Sequence, residues 1–103
     1  MKRKMYASCR RYEGVPDVAA ATKKVNEVFV PLISALPGFI EYHWISLGNN
    51  AMMSFTVFKT YANAVNANVK ASVWVREHLR SVLGPSVRTE AGEILLYSGC
   101  DKD

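Results

Sequence analysis

The chain has 103 residues, of which half are hydrophobic and 21% are charged, a balance typical of one globular domain. Its formal net charge is +4. The basic residues form no stripe with exposed aromatic side chains, so we expect no nucleic-acid partner. The longest apolar tract, 28–40, is interrupted by prolines and is too short for a bilayer span, so we expect no membrane association.

We interpret residues 1–103 as a single domain, with a basic N-terminal tail at 1–4 and a C-terminal tail at 100–103. The start of the sequence has no apolar stretch long enough for a signal peptide, which predicts a cytoplasmic location. Cys9 and Cys100 have no second cysteine or histidine at metal-ligand spacing. We therefore expect two reduced structural thiols.

The first half of the chain predicts a strand, a helix and a second strand. A strand-forming run at 5–13 is followed by Pro16 and Asp17, which favour the start of a helix. Apolar residues then recur at helical spacing over 18–36. Pro31 lies inside this pattern and predicts a kink or a shifted turn near 27–31.

The second half predicts a hairpin, a long helix and a last strand. Runs at 39–47 and 51–60 are joined by Gly48, Asn49 and Asn50, which accept positive φ. Residues 61–83 predict an amphipathic helix of about six turns. After a polar connection at 87–92, we expect the last strand at 93–98.

This order predicts an α+β fold of the ferredoxin-like split βαβ type, β-α-β-β-α-β. Its four-stranded antiparallel sheet carries both helices on one face. Alternation gives each sheet face a set of apolar and aromatic residues. We expect the set with His43, Ile45, Phe55 and Val57 on the helix side. The other set, including Trp44, is then free to pair with a second copy, which predicts a homodimer.

Three segments resemble the antibiotic biosynthesis monooxygenase domain superfamily, whose members are dimeric α+β barrels. They are RRYEGVPD at 10–17, FVPLISALPGF at 29–39 and ASVWVRE at 71–77. The resemblance implies a homodimer joined through its sheets, with a pocket in each subunit between the sheet and the second helix. Some members of this superfamily oxidise aromatic polyketides without metal or flavin, some degrade haem, and many have no known activity.

Two histidines are the candidate catalytic residues. Trp74 and His78 share a stripe of the second predicted helix with Ala71, so both could line one cleft. His43, if it faces this helix, could meet His78 and take a proton from a phenol. The alternative is that Trp74 packs at the edge of the core, His78 is partly exposed and His43 is a hydrogen-bonded core histidine.

The predicted ligand-binding residues are Met53, Phe55, Asn68 and Trp74. Asn68 lies on the core stripe of its helix, where its amide needs partners. Arg10 and Arg11 point to opposite sides of their strand, and we expect the inward one to reach solvent or an acidic side chain. The two histidines give too few ligands for a metal site, so we expect no metal and no cofactor.

The sequence favours a cofactor-independent, monooxygenase-like protein that binds a small phenolic or quinone-like molecule. Two alternatives stay open. One is a haem-binding or haem-degrading enzyme in which His78 ligates the iron. The other is a non-catalytic ligand-binding or interaction module.

Overall fold

The computed structural model describes residues 4–99. Its four strands pair antiparallel in the order β2-β3-β1-β4. The strands are β1 (Tyr6–Tyr12), β2 (Phe39–Gly48), β3 (Ala51–Phe58) and β4 (Arg88–Glu93). The helices are α1 (Val18–Lys24), a π-helical turn (Val25–Phe29), α2 (Val30–Ser34) and α3 (Tyr61–His78). This arrangement confirms the predicted ferredoxin-like α+β fold.

The first helical region contains the shifted turn that Pro31 predicts. It begins at Asp17, whose carboxylate accepts a hydrogen bond from the Ala20 N–H at 3.0 Å. In the π turn, the Val30 N–H donates to the Val25 carbonyl, five residues back. Pro31 has no N–H, so it cannot make the ordinary helical hydrogen bond to the carbonyl four residues earlier. The helix therefore adopts five-residue hydrogen-bond spacing just before Pro31.

Two tight turns adopt the conformations that their residues favour. Asn49 and Asn50 connect β2 to β3 with φ angles of 52° and 61°, which confirms the predicted hairpin. Gly38 precedes β2 with a φ of 78°. A Cβ at this position would overlap the Asn63 side chain on α3, so glycine lets the turn pass under that helix.

The last third of the chain differs from the sequence prediction. The helix ends at His78 instead of residue 83. The buried Leu79 and Leu83 keep helical spacing, but they belong to the turns that follow. The last strand is Arg88–Glu93 rather than 93–98. An edge strand is held by its backbone pairing to β1, so the polar sequence of β4 needs no apolar alternation.

The two faces of the sheet are the reverse of the prediction. Tyr12, Met52 and Phe58 lie in the core under the helices, and each is at most 3% exposed. Residues of the opposite alternation, such as Ile45 and Phe55, lie on the open face. The prediction was wrong because it gave the helices the more apolar face, whereas the helix side of this sheet also holds polar residues.

Candidate functional site

The predicted site residues divide between the two faces of the sheet. Asn68 and Trp74 lie on α3, on the helix side, where Asn68 bonds to β1 and Trp74 packs on the core. Met53 and Phe55 lie on the open face with His43. The predicted cluster of Met53, Phe55 and Trp74 is therefore not formed within one chain, because alternate residues of a strand point to opposite sides.

The two histidines do not meet. His43 is exposed, lies 3.1 Å from the Glu41 carboxylate and packs edge-on against Phe55, with ring centroids 5.9 Å apart. His78 is exposed at the last residue of α3. The hypothesis that they face one another across a pocket is wrong.

The helix-facing side of β1 holds a buried arginine. Arg10 is only 1% exposed. Its Nη1 donates to Asn68 Oδ1 at 3.0 Å and to Ser8 Oγ at 3.2 Å, and its Nη2 donates to Ser54 Oγ at 2.7 Å. The expectation that the inward arginine reaches solvent or an acidic side chain was therefore wrong for Arg10. The arginine that pairs with an acidic side chain is Arg11, whose Nε lies 2.7 Å from Glu13 Oε2.

No carboxylate among residues 4–99 forms an ion pair with Arg10. Its guanidinium carbon lies 5.3 Å from the centroid of the Phe29 ring, a cation–π contact supplied by the π turn. Arg10 Nε and the Thr56 hydroxyl are buried without a hydrogen-bond partner. A buried cation with no opposite charge is unfavourable for folding, and here three hydrogen bonds and the Phe29 ring partly offset that cost.

A chain of hydroxyl groups leads from Arg10 toward the surface. Ser54 Oγ accepts from Arg10 and donates to Tyr42 Oη at 2.8 Å. Burial raises the pKa of Tyr42 to about 12, although the Ser54 hydrogen bond and the Arg10 charge act in the opposite direction. Tyr42 is therefore a neutral phenol at ordinary pH. Its ring also packs on Phe29, with centroids 5.7 Å apart.

Tyr42 lines a groove between β2 and the first helical region, with a volume of about 660 Å³. Phe39 and Trp44 of β2 form one wall with Tyr42, and the opposite wall comes from α1, the π turn and α2. The Trp44 indole N–H donates to Thr22 Oγ1 at 3.0 Å, which holds the ring against α1. Lys23 also lines this groove, which we call the helix-side groove.

The space between the sheet and α3, where the pocket was predicted, is filled by packed side chains. Ala64, Ala67 and Ala71 are fully buried on the face of α3 that meets the sheet, and Val75 is 4% exposed. Small side chains let the helix approach the strands closely. The groove lies instead beside the π turn and β2.

A second groove of about 580 Å³ lies on the open face. Ala7, Cys9, Phe55 and Ile94 are among its lining residues. Cys9 is half-buried, and burial together with the nearby Glu90 raises the pKa of its thiol. Cys100 lies outside the described residues, so the prediction for the two thiols stays a prediction.

Within residues 4–99, no group of three or more histidine, cysteine or acidic side chains is placed to hold a metal ion. No helix in the same part of the chain is long and apolar enough to cross a membrane.

Of the predicted site residues, Asn68 bonds to Arg10 in this cluster and Trp74 packs against the core outside the helix-side groove. The sequence prediction did not include Arg10, Ser54 or Tyr42 as site residues. Alternation already separated Arg10 from Arg11 and put Tyr42 on the same face as Trp44. The signal that could have found the cluster was a set of polar residues, Ser8 and Arg10 among them, on one face of the central strands. Such a set is favourable inside a domain only when its members bond to one another.

No protein-family model and no curated protein matches the sequence. Solved structures do match. NE2512, a protein of unknown function from Nitrosomonas europaea, is 20% identical with a TM-score of 0.70, over 96% of this chain and 97% of that one. SnoaB from Streptomyces nogalater, a cofactor-independent oxygenase, is 12% identical with a TM-score of 0.60, over 98% of this chain and all of that one.

A third structure, provisionally named an antibiotic biosynthesis monooxygenase and also from Nitrosomonas europaea, is 14% identical. Its TM-score is 0.67, over 96% of this chain and 98% of that one. The protein is thus an α+β domain with a ferredoxin-like sheet and a buried polar cluster on its helix side. It has the fold of the antibiotic biosynthesis monooxygenases, as the sequence resemblance predicted.

Proposed function

We propose that this protein is a monooxygenase-like homodimer that binds a small aromatic molecule in the helix-side groove. The observation that carries the proposal is the connection between this groove and Arg10. The groove has one aromatic wall, from β2, and Tyr42 in this wall is linked through Ser54 to a buried guanidinium. Apolar walls with a few convergent polar groups are typical of small-molecule sites.

The groove fits a flat ring better than a flexible chain. Phe39, Tyr42 and Trp44 follow one another on the same edge strand and offer ring faces and edges for stacking. The volume of about 660 Å³ falls within the range for small-molecule pockets. The fold is shared with a cofactor-independent oxygenase, and we propose a phenolic or quinone-like ligand for this groove.

The oxygenase reaction that we propose needs no external reductant. A phenolic substrate loses a proton and the resulting anion gives electrons to O₂. A ring CH₂ then becomes C=O with one oxygen atom, and the other oxygen atom leaves as water with the two hydrogens. The protein would stabilise the anion with the positive charges of Arg10 and Lys23. Since no histidine lines the groove, the proton passes to water at its open side.

The haem alternative receives less support from the geometry. His78 is its axial candidate, but this residue is exposed at the end of α3 and lines neither groove. The interaction-module alternative is addressed by the ligand test below. Saturable binding of an aromatic molecule in the helix-side groove would favour a ligand-binding protein over an interaction module. Oxidation of that molecule by O₂ would then separate the monooxygenase-like proposal from a non-catalytic ligand-binding module.

The homodimer belongs to the same proposal and uses the open face. Ile45 and Leu47 of β2 are 38% and 41% exposed on it, and Phe55 is partly exposed. Beyond β4, Leu95 and Leu96 are 86% and 78% exposed. An uncovered sheet face with apolar residues next to an apolar tail is most simply covered by a second copy. The cytoplasmic location stays a prediction.

The test is calorimetric titration with two- and three-ring phenols, starting with 2-naphthol. Ser34 lines the groove and is exposed on α2, so Ser34→Trp should fill the groove without disturbing the core. Ser72 is a matched control, because it is also an exposed helical serine whose hydroxyl donates three residues back. Saturable binding that weakens at least tenfold in Ser34→Trp but not in Ser72→Trp supports the proposal. No saturable binding, or equal binding by both variants, contradicts it.

A further inference from the structure

We propose that the ligand of the helix-side groove carries an anionic oxygen (a phenolate, an enolate or a carboxylate) and that this oxygen accepts a hydrogen bond from the Tyr42 hydroxyl. The inference rests on the proposed function and adds the chemistry of recognition to it. In this arrangement, Arg10 is a positioning residue that acts through Ser54.

The direction of the hydrogen bonds determines where the Tyr42 proton points. A guanidinium only donates, so Ser54 Oγ must accept from Arg10. The geometry of the second bond has Ser54 Oγ as its donor and Tyr42 Oη as its acceptor. Since the Tyr42 oxygen accepts that bond, its own O–H is directed to a different acceptor. Among residues 4–99, no protein acceptor for it is found.

The charge near Tyr42 favours an anion over a neutral acceptor. Arg10 is buried without a carboxylate partner in the described chain. Its positive charge is close to Tyr42, because Ser54 Oγ is hydrogen-bonded to both side chains. In a poorly solvated interior such a field is weakly screened. Lys23 adds a second positive charge in the lining of the same groove. An anionic oxygen bound here would partly neutralise both.

A second buried group beside Tyr42 is also unpartnered. Thr56 is paired with Tyr42 across β2 and β3, so both side chains lie on the helix side. Thr56 is fully buried and its hydroxyl has no hydrogen-bond partner. Buried polar groups are normally satisfied, so the Thr56 hydroxyl is a second polar group beside Tyr42 that a bound water or ligand atom could satisfy.

The test compares three probes of the same ring size: 2-naphthoate, 2-naphthol and naphthalene. We expect the parent to bind 2-naphthoate at least tenfold more tightly than naphthalene, since hydrogen bonds to a charged acceptor are the strong ones. Tyr42→Phe keeps the ring and should bring the two affinities within about threefold, without weakening naphthalene. Tyr61→Phe, at an exposed tyrosine on α3, is the control and should retain the preference.

The outcomes separate this inference from the proposed function. If naphthalene and 2-naphthoate bind the parent equally and in the groove, the proposed function stands and the anionic oxygen is wrong. If Tyr42→Phe keeps the preference, Tyr42 is not the donor. If no probe binds, both proposals fail.

The role of Arg10 is tested separately, by the pH at which bound 2-naphthol ionises. Bound 2-naphthol should ionise at a lower pH in the parent than in Arg10→Met, as followed by its ultraviolet absorbance, because the positive field favours the naphtholate. Arg10→Lys should keep part of this difference. Equal ionisation of bound naphthol in the parent and in a folded Arg10→Met would overturn the role of Arg10.

Discussion

The Arg10 guanidinium donates to the Asn68 amide oxygen at 3.0 Å, across 58 positions of sequence. The same amide oxygen accepts from Ser8 Oγ at 2.8 Å, and the Asn68 NH₂ donates to the Glu90 carbonyl at 3.1 Å. One side chain of α3 therefore connects that helix to both β1 and β4. Among residues 4–99, it supplies the one side-chain amide oxygen that accepts a hydrogen bond from Arg10.

Asn68→Ala should lower the free energy of unfolding by about 2–3 kcal/mol, because it leaves buried donors on Arg10 and Ser8 without an acceptor. Urea denaturation followed by circular dichroism measures this change. Asn66→Ala is the control, at an exposed position of the same helix, and should change stability by less than about 0.5 kcal/mol. Equal stability of the two variants would show that the polar cluster does not depend on Asn68.

The two tryptophans should report on ligand and fold separately. Trp44 lines the helix-side groove, whereas Trp74 packs edge-on against Phe29 with ring centroids 6.3 Å apart. This reverses the hypothesis from the sequence, in which the helical stripe put Trp74 in the pocket and strand alternation put Trp44 on the other face. It agrees with the alternative that Trp74 packs at the edge of the core. Trp44→Phe should remove most of the fluorescence change on ligand binding, and Trp74→Phe should keep it.

Trp74→Ala should lower the free energy of unfolding by about 3 kcal/mol, the low end for a truncated aromatic side chain, because Trp74 is only partly buried. Thermal and urea denaturation measure this loss. A Trp74→Ala variant that melts like the parent would instead show that the ring lines an open cavity.

Alkaline pH should destabilise the fold through Tyr42. Its pKa is about 12 in the folded chain and about 10 when unfolded. Between these values the folded state binds more protons, so the stability conferred by Tyr42 is complete below pH 10 and is lost as the pH rises toward 12. Urea titrations at several pH values should show a smaller loss over this interval in Tyr42→Phe than in the parent.

The homodimer is tested at the open face. Ile45→Glu puts a charge where a partner would cover it, and an unpaired buried charge costs several kcal/mol. Sedimentation velocity should therefore show a shift toward monomer. Val69→Glu is the control, because Val69 is 61% exposed on α3. A parent that sediments as a stable monomer at micromolar concentration would refute the dimer. The sheet face expected from alternation to pair with a second copy was wrong, since Trp44 of that face packs against α1 within one chain.

Local signals in the sequence were sufficient for most of the fold. Asp17 as a helix cap, the shifted turn before Pro31 and the Asn49–Asn50 hairpin depend on nearby backbone and side-chain chemistry, so the sequence predicts them. The position of β4 depends on pairing with β1, more than seventy residues earlier. The strand was predicted at 93–98 because this apolar run has more residues that favour strands than the polar segment 88–93, which forms the backbone pairing with β1.

The candidate site was harder to predict, because it depends on which face of the sheet meets the helices. Both faces carry apolar and aromatic residues, and the more apolar one is left open. Because the helices cover the less apolar face, Met53 and Phe55 lie on the side of the sheet opposite to Trp74. Arg10 could not be recognised as a site residue from its own position, since its partners on β3 and α3 are distant in sequence.

The most direct measurement is a crystal structure of the protein with 2-naphthoate bound. The ligand ring should lie in the helix-side groove against Trp44, with a carboxylate oxygen about 2.7 Å from Tyr42 Oη. Ser54 should still connect Tyr42 to Arg10. A ligand seated on the open face between Cys9 and Phe55, or one in the groove with its carboxylate turned away from Tyr42, would contradict the account.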